Sequence, residues 1–335
     1  MKEARYYRRD KDGKIRCSLC PHSCLLGPGQ TGDCGIRRNN GEILEAAGYG
    51  IISSLAVDPV EKKPLYHFYP GSRILSVGGF GCNFRCDFCQ NFEISQIQAD
   101  PPQSNAFIDP RSLAERATQI TGNIGLAFTY NEPLIAFEYV LDTARILKEE
   151  AGMQVVLVSN GFVQQAPLRE LLPSTDAWNV DIKSFNRTFY RNYCHGELQP
   201  VLKTAEMIRS AGKHLEITCL VITGRNDSTG EMVELTRWIS GNLGRETVLH
   251  LSRYYPRYKS REPATPPETM ELLYMVAKEN LDNVYTGNLP ERDGNDSTCP
   301  GCGTVYIRRA GYRILQNSLV DNQCPQCGKI LYGKF

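Results

Sequence analysis

This chain carries almost no net charge, no long apolar run and no repeated or low-complexity stretch, and each absence closes off a class of function. Lys and Arg number 38 against 37 Asp and Glu, a formal net charge of +1. Proteins that hold nucleic acid through its phosphates carry a basic excess, so that class is disfavoured. No run reaches the ~20 apolar residues of a membrane-spanning helix. The opening Met1-Lys2-Glu3-Ala4-Arg5-Tyr6-Tyr7 lacks the apolar core of a secretory signal, so the expected location is cytoplasmic. The 335 residues suit one large domain with small appendages.

Cysteine, by contrast, is plentiful. There are 13, and without a secretion signal they point to metal sites rather than disulfides. They fall in groups: four near the N-terminus, three in the middle, four at the C-terminus, with Cys194 and Cys219 alone. The two isolated ones read as core or surface thiols.

The N-terminal group is Cys17-x2-Cys20-x3-Cys24-x9-Cys34. Four ionised thiols this close repel one another unless a cation gathers them. A zinc ion or a second iron–sulfur cluster would do so. His22 reads as a surface histidine, with a ligand role as the alternative. Next, Asp58-Pro59-Val60-Glu61-Lys62-Lys63-Pro64-Leu65-Tyr66-His67-Phe68 reads as an ordered connector, broken by its prolines. Lys62 and Lys63 are either solvated charges or part of a segment beside the central cysteines.

The central group is Gly81-Cys82-Asn83-Phe84-Arg85-Cys86-Asp87-Phe88-Cys89-Gln90-Asn91, directly after the apolar run Ile74-Leu75-Ser76-Val77-Gly78-Gly79. The run predicts a strand, and the glycines let the backbone leave it sharply. Iron–sulfur clusters are normally held by four cysteines. Three on a four-iron cluster leave one iron open to a small molecule. Zinc sites prefer paired C-x2-C hooks and four closed ligands.

Further strands are expected at 124–129, 154–159, 177–182, 214–222 and 247–251, with an edge strand near 283–288. Helices between them imply right-handed crossovers and a parallel sheet. Asp109-Pro110 predicts a helix start, and Ser228-x-x-Glu231 and Thr265-x-x-Glu268 read as capping boxes. Six such units suit a partial (β/α)6 barrel; a doubly wound sheet is the alternative. In both, the site belongs at the carboxyl ends of the strands. Polar motifs fall there: Thr129-Tyr130-Asn131-Glu132-Pro133, Ser159-Asn160-Gly161, Asp181-Ile182-Lys183, Arg225 and His250-Leu251-Ser252-Arg253-Tyr254-Tyr255. Glu132 also suits a helix N-terminus, and Arg225 either meets a carboxylate or lies exposed at a turn. Last, Cys299-x2-Cys302-x21-Cys324-x2-Cys327 gives two hooks of a zinc ribbon, a closed structural site. Arg308-Arg309 between the hooks reads as a solvated face, with an acidic or nucleic-acid partner as the alternative.

The central loop resembles the signature of the radical S-adenosylmethionine (SAM) superfamily, C-x3-C-x-aromatic-C, with Phe88 as the aromatic. The resemblance implies a [4Fe–4S] cluster on Cys82, Cys86 and Cys89, with SAM bound at its open iron. It implies reductive cleavage of SAM to methionine and a 5′-deoxyadenosyl radical that abstracts hydrogen from a substrate. It places Phe88 near the adenine, Asn131 and Glu132 where the family has a Gly-Gly-Glu-like stretch facing the SAM amino group, and Ser159 and Asn160 at SAM polar atoms. Asp181 and Lys183 match the Asp-x-Lys of glycyl-radical-enzyme activases, near SAM or substrate. Tyr255 stands where the family often has His.

The whole chain resembles the AmmeMemoRadiSam-system radical SAM proteins, relatives of pyruvate formate-lyase activating enzymes. The matching pieces are Cys17-x2-Cys20-Pro21-His22-x-Cys24, the 58–68 stretch, the central loop and the ribbon. The resemblance implies Memo-like and AMMECR-like partner proteins, a flavodoxin or ferredoxin as electron donor, and a protein or small-molecule substrate. The expected organisation is a Cys-rich segment and connector (1–70), a partial radical SAM barrel (71–290) and a zinc ribbon (291–335). The expected protein is an oxygen-sensitive radical SAM enzyme. A glycyl-radical activase is one alternative, a non-catalytic iron–sulfur and zinc adaptor or electron carrier another, and RNA modification guided by the ribbon a third.

Overall fold

The alternating apolar runs assemble into one eight-stranded sheet. The computed structural model describes residues 1–97, 107–289 and 295–335. The strands are β1 (Ser54–Pro59), β2 (Arg73–Gly78), β3 (Asn123–Phe128), β4 (Gln154–Ser159), β5 (Ala177–Asp181), β6 (His214–Val221), β7 (Val248–Arg253) and β8 (Val284–Gly287). Their order in the sheet follows the chain, from β1 at one edge to β8 at the other. A doubly wound sheet reverses its order at a switch point; this one does not, so that alternative falls. From β2 to β8 every pairing is parallel. The edge strand at 284–287 is where the sequence places it.

Six helices make the crossovers: α1 (Pro110–Gln119), α2 (Phe137–Glu150), α3 (Gln165–Leu171), α4 (Leu198–Ser210), α5 (Thr229–Asn242) and α6 (Pro267–Asn280). Each buries an apolar stripe against the sheet; on α2 it is Phe137, Val140, Leu141, Ala144 and Leu147. Asp109 caps α1 by accepting from the Ser112 amide at 3.0 Å, with Pro110 at the first position. Ser228 caps α5, but Glu231 does not reciprocate; its carboxylate accepts from the Phe185 amide at 2.8 Å. The expected cap at Thr265 is corrected. Its hydroxyl donates to the Val221 carbonyl at 2.6 Å, and α6 begins only at Pro267.

Strand β1 is an addition to the expected set. It runs antiparallel to β2, so the segment expected at 1–70 contributes an edge strand to the barrel sheet. The chain then turns under the barrel. The Tyr66 and His67 amides donate to Glu216 Oε2 and Oε1 at 3.0 and 2.8 Å. Nε2 of His214 and of His250 lie 2.8 and 2.6 Å from the same carboxylate. Glu216 sits in the amino-terminal half of β6, so Tyr66 and His67 plug the floor, while Tyr66 also lines a groove with Gln90 and Asn91, directly after the cysteine loop. Lys63 is buried against Asp58 at 2.7 Å, and Lys62 pairs with the same carboxylate at 2.9 Å. Neither is merely solvated charge.

Two small pieces flank the barrel. The N-terminal one is a set of short hairpins, fastened to α2 by the buried Arg37–Glu138 pair at 3.0 Å. The C-terminal one is a three-stranded antiparallel ribbon: β9 (Ser297–Thr298), β10 (Val305–Ala310) and β11 (Arg313–Asn317). The expected border at 290/291 lies outside the described residues. Arg309 is not a solvated residue. It is buried, stacks on the Tyr66 ring and donates to the Tyr66 carbonyl at 2.8 Å. Burying the cation on the floor segment locks ribbon and barrel together. Arg308 alone of that pair is exposed.

Candidate active site

The cysteine loop leaves the carboxyl end of β2 and is held by neighbours on every side. Gly81 has φ +82°, and a Cβ there would meet the Cys34 carbonyl at 2.2 Å, so no side chain fits. Asn131 accepts from the Gly79 amide at 2.9 Å and donates to the Gly81 carbonyl at 3.1 Å. The Asn131 amide thus braces the loop. Asn83 donates to the Phe162 carbonyl at 2.7 Å and accepts from Asn160 Nδ2 at 2.9 Å. Phe84 is buried between Phe162 and Tyr190.

Around this loop gather the ends of β3, β4 and β5. Glu132, 2 % exposed, accepts at Oε1 from the Leu134 amide (2.9 Å) and the Ser159 hydroxyl (2.8 Å), and at Oε2 from the Asn160 amide (2.8 Å). It is a helix cap and a tie between strand ends at once. A carboxylate offers about four acceptor sites, so one on Oε2 stays free. Burial pushes its carboxyl up to about 7, although those three donors pull the other way. Asn160 Nδ2 also reaches to 3.6 Å of Cys82 Sγ, and the Phe84 amide donates to the same sulfur at 3.3 Å.

Asp181, the last residue of β5, and Lys183 pair at 2.7 Å. Burial alone would lower the Lys183 pKa, but Asp181 outweighs it and holds the ammonium charged. That charge acts on Cys86 and Cys89. Phe88 is buried near Phe189 and lines a cavity of about 240 Å³ that Tyr193, Ile222 and Arg225 also border. Arg225 meets a carboxylate, Glu262, at 2.6 Å. Tyr255 is exposed, and its hydroxyl donates to the Asn288 carbonyl at 3.2 Å. It lines a groove of about 780 Å³ with Gln90, Asn91 and Tyr312. His250, expected at a strand end, lies instead in the buried floor network.

Two contacts were not foreseen. Cys194, expected as an isolated thiol, lies against the cysteine loop, its carbonyl accepting from the Arg85 amide at 3.0 Å; the neighbouring Cys194 thiol first, then burial, holds the Cys86 thiol far above its ordinary pKa. Over a hundred residues separate the two, and no spacing signals the contact. His22 is not a free surface histidine: its Nε2 lies 2.7 Å from the Asn83 carbonyl, and its ring meets Phe162 edge-on. It joins the N-terminal piece to the cysteine loop.

The donor sets differ in a way that bears on what they hold. In the ribbon, Cys299, Cys302, Cys324 and Cys327 have all four sulfurs within 4.8 Å of one another, with 3.6 Å between Cys299 and Cys327 and between Cys302 and Cys324. A Zn–S bond of about 2.3 Å sets tetrahedral sulfurs roughly 3.8 Å apart, so the ribbon fits a single zinc ion. Among the described residues no other such cluster of ligand atoms is that tight. Cys82, Cys86 and Cys89 are more widely spaced, three soft thiols on one loop with amide donors on Cys82. That set fits a polynuclear cluster with one position open.

Comparison with known proteins agrees with this geometry. Residues 76–236 match the Radical SAM superfamily. The protein MJ0808 of Methanocaldococcus jannaschii is 38% identical over 335 residues, covering 98% of each chain. MJ0674 of the same organism is 27% identical over 221 residues, 61% of this chain and 62% of its own. Among solved structures, a radical SAM methyltransferase from Sphaerobacter thermophilus superposes with a TM-score of 0.52 at 15% identity, over 71% of this chain and 70% of that one. That last likeness speaks for the fold alone.

Proposed function

The chain belongs to the radical SAM superfamily, and from that premise we propose that Cys82, Cys86 and Cys89 hold the [4Fe–4S] cluster the family implies. The observation that carries this reading is three thiols on one braced loop at the strand ends, without a fourth protein ligand on that loop. With cluster and SAM bound, the chemistry supplied is reductive cleavage of SAM to methionine and a 5′-deoxyadenosyl radical that takes hydrogen from a substrate. The chain's own residues bind, orient and exclude water. The free acceptor site on Glu132 Oε2 receives the SAM ammonium, and the approaching cation favours the charged carboxylate. Ser159 and Asn160 hold Glu132 in place and present the remaining amide edge. Asn131 fixes the loop's exit. The Lys183 ammonium, steered by Asp181, meets the SAM carboxylate. Phe88 and the cavity beside it take the adenine.

The substrate approaches along the groove between Asn91 and Tyr312, whose volume lies within the ~300–1,000 Å³ of small-ligand pockets. It admits a small molecule or a side chain of a partner protein. The combination of N-terminal cysteines, floor stretch and ribbon supports membership of the AmmeMemoRadiSam group, with Memo-like and AMMECR-like proteins as partners. A flavodoxin or ferredoxin is the proposed electron donor, and the cytoplasm the proposed location. The Asp181–Lys183 pair favours a glycyl-radical activase as the second reading. No helix among the described residues is long and apolar enough to cross a membrane.

The test is 5′-deoxyadenosine formation by anaerobically purified, cluster-loaded protein given SAM and dithionite, with and without candidate partner proteins. Product from wild type and none from Cys86→Ala is expected. A cluster-loaded wild type that makes none under any of these conditions would favour an adaptor or electron carrier.

A further inference from the structure

We propose that Cys17, Cys20, Cys24 and Cys34 hold a second iron–sulfur cluster, pressed against the first. All four cysteines line one cavity together with Leu19, His22, Asp33 and Arg37, with the Cys24 thiol donating to Asp33 at its exposed edge at 3.5 Å. Cys17 and Cys34 are buried, and Cys20 and Cys24 are partly so. Four thiols that converge from separate hairpins on one space need a cation to ionise there.

A single ion does not suit them. The ribbon shows how this same structure arranges four cysteines for one ion, with sulfurs within 4.8 Å of one another. The N-terminal four are absent from any cluster that tight among the described residues, and so are Cys82, Cys86 and Cys89. By spacing, the N-terminal set groups with the triad. Four cysteines are the usual ligand complement of both common cluster types.

A second observation points into the same cavity. Arg37 is 2 % exposed, and its guanidinium carries one nitrogen, Nε, without a partner. Its other nitrogens are engaged: NH1 pairs with Glu138 at 3.0 Å, and NH2 donates to the Arg5 carbonyl. A buried donor left unmatched is costly. A cluster ligated by four thiolates is anionic, and an arginine N–H beside its sulfurs is the outer-shell contact such sites use.

The position gives the site its meaning. The Cys34 carbonyl abuts Gly81, the residue before Cys82. The Arg85 side chain donates to the Asp33 carbonyl at 2.6 Å, and His22 reaches Asn83. The second site therefore touches the triad loop at three points. It requires no SAM and stands whether or not the triad cleaves SAM.

The experiment counts metal and acid-labile sulfide in anaerobically purified full-length protein. In a variant with Cys82, Cys86 and Cys89 all changed to Ala, iron and sulfide are expected to persist at roughly a third of the wild-type level for a [2Fe–2S] second cluster or roughly half for a [4Fe–4S], with about one zinc per chain from the ribbon. Adding Cys20→Ala and Cys24→Ala should remove the remaining iron and sulfide and leave the zinc. The converse variant, Cys20→Ala/Cys24→Ala with the triad intact, should fall to roughly two thirds or half of the wild-type level for the same two cluster types, and controls for misfolding of either variant. Two zinc ions per chain without sulfide in the triad-free protein would overturn the proposal. So would wild-type iron and sulfide in the Cys20→Ala/Cys24→Ala variant.

Discussion

The chain carries two cysteine tetrads at opposite ends of one barrel, and they are built differently. The ribbon's sulfurs are gathered within 4.8 Å, and Cys302 and Cys327 are exposed. The N-terminal set is spread around one cavity. Each tetrad is tied to the barrel through one buried arginine. Arg309 rests on the floor segment with carbonyl and hydroxyl partners, Tyr66, Asn295 and Ser297. Arg37 is bound to a charge, Glu138. One tetrad's ribbon rests on the floor segment and reaches the groove through Tyr312; the other abuts the Cys82–Cys89 loop. Ligand number alone does not reveal duty; sulfur spacing and the surface each site touches do.

The largest effect should come from the ribbon. Structural zinc contributes about 10–16 kcal/mol of apparent binding energy. Cys324→Ser is expected to abolish zinc binding and make residues 295–335 sensitive to protease while leaving the iron content intact. Elemental analysis with limited proteolysis checks this, and iron lost in step with zinc would mean the two ends are not independent. Next come the two arginines. Arg37→Met leaves the buried Glu138 without its cation, a loss of about 3–5 kcal/mol, and should lower the melting temperature by on the order of 10 °C. Arg309→Met strands only neutral acceptors, about 1–3 kcal/mol, and should cost about 2–6 °C. Calorimetry on the pair decides the order; equal losses would erase the distinction between the anchors.

The smallest effect is one of pH, and it belongs to the floor. Burial holds His67 neutral, with its pKa pushed down to about 3. Burial acts to raise the Glu216 pKa, but the hydrogen bonds from His214 and His250 outweigh it and hold the carboxyl well below the usual range. Both groups bind fewer protons folded than unfolded. Their stability is complete above about pH 6.5 for His67 and about pH 4.5 for Glu216, and is lost as pH falls. The melting temperature should therefore drop between pH 7 and pH 4.5, with a slope of at most about 1.4 kcal/mol per pH unit for His67 alone. A flat profile would show that the floor network is not the pH-sensitive element.

Much of this was legible in residue order. The C-x3-C-x2-C loop after a strand, the ribbon hooks and the sequence of parallel strands are local patterns, and local patterns survive in one dimension. The misses share a cause. Strand β1 ends in Pro59 and its edge pairing is antiparallel, so it reads as connector until β2 is beside it. Glu216, His67, His214 and His250 are unremarkable one by one; only closing the sheet puts two rings and two amides on one carboxylate. Thr265 fits a capping pattern, yet Val221, 44 residues away, takes its hydroxyl. Cys194 and Cys86 meet only because the chain folds back across the Cys82–Cys89 loop.

The most direct test of the active site is electron paramagnetic resonance of the dithionite-reduced Cys20→Ala/Cys24→Ala protein, which isolates the triad, recorded with and without SAM. A cluster signal that changes shape when SAM is added is expected, because the iron left open by Cys82, Cys86 and Cys89 would take SAM as its ligand. A signal identical with and without SAM would mean that the triad's cluster is closed, and would contradict the assignment of this loop as the place where SAM is bound and cleaved.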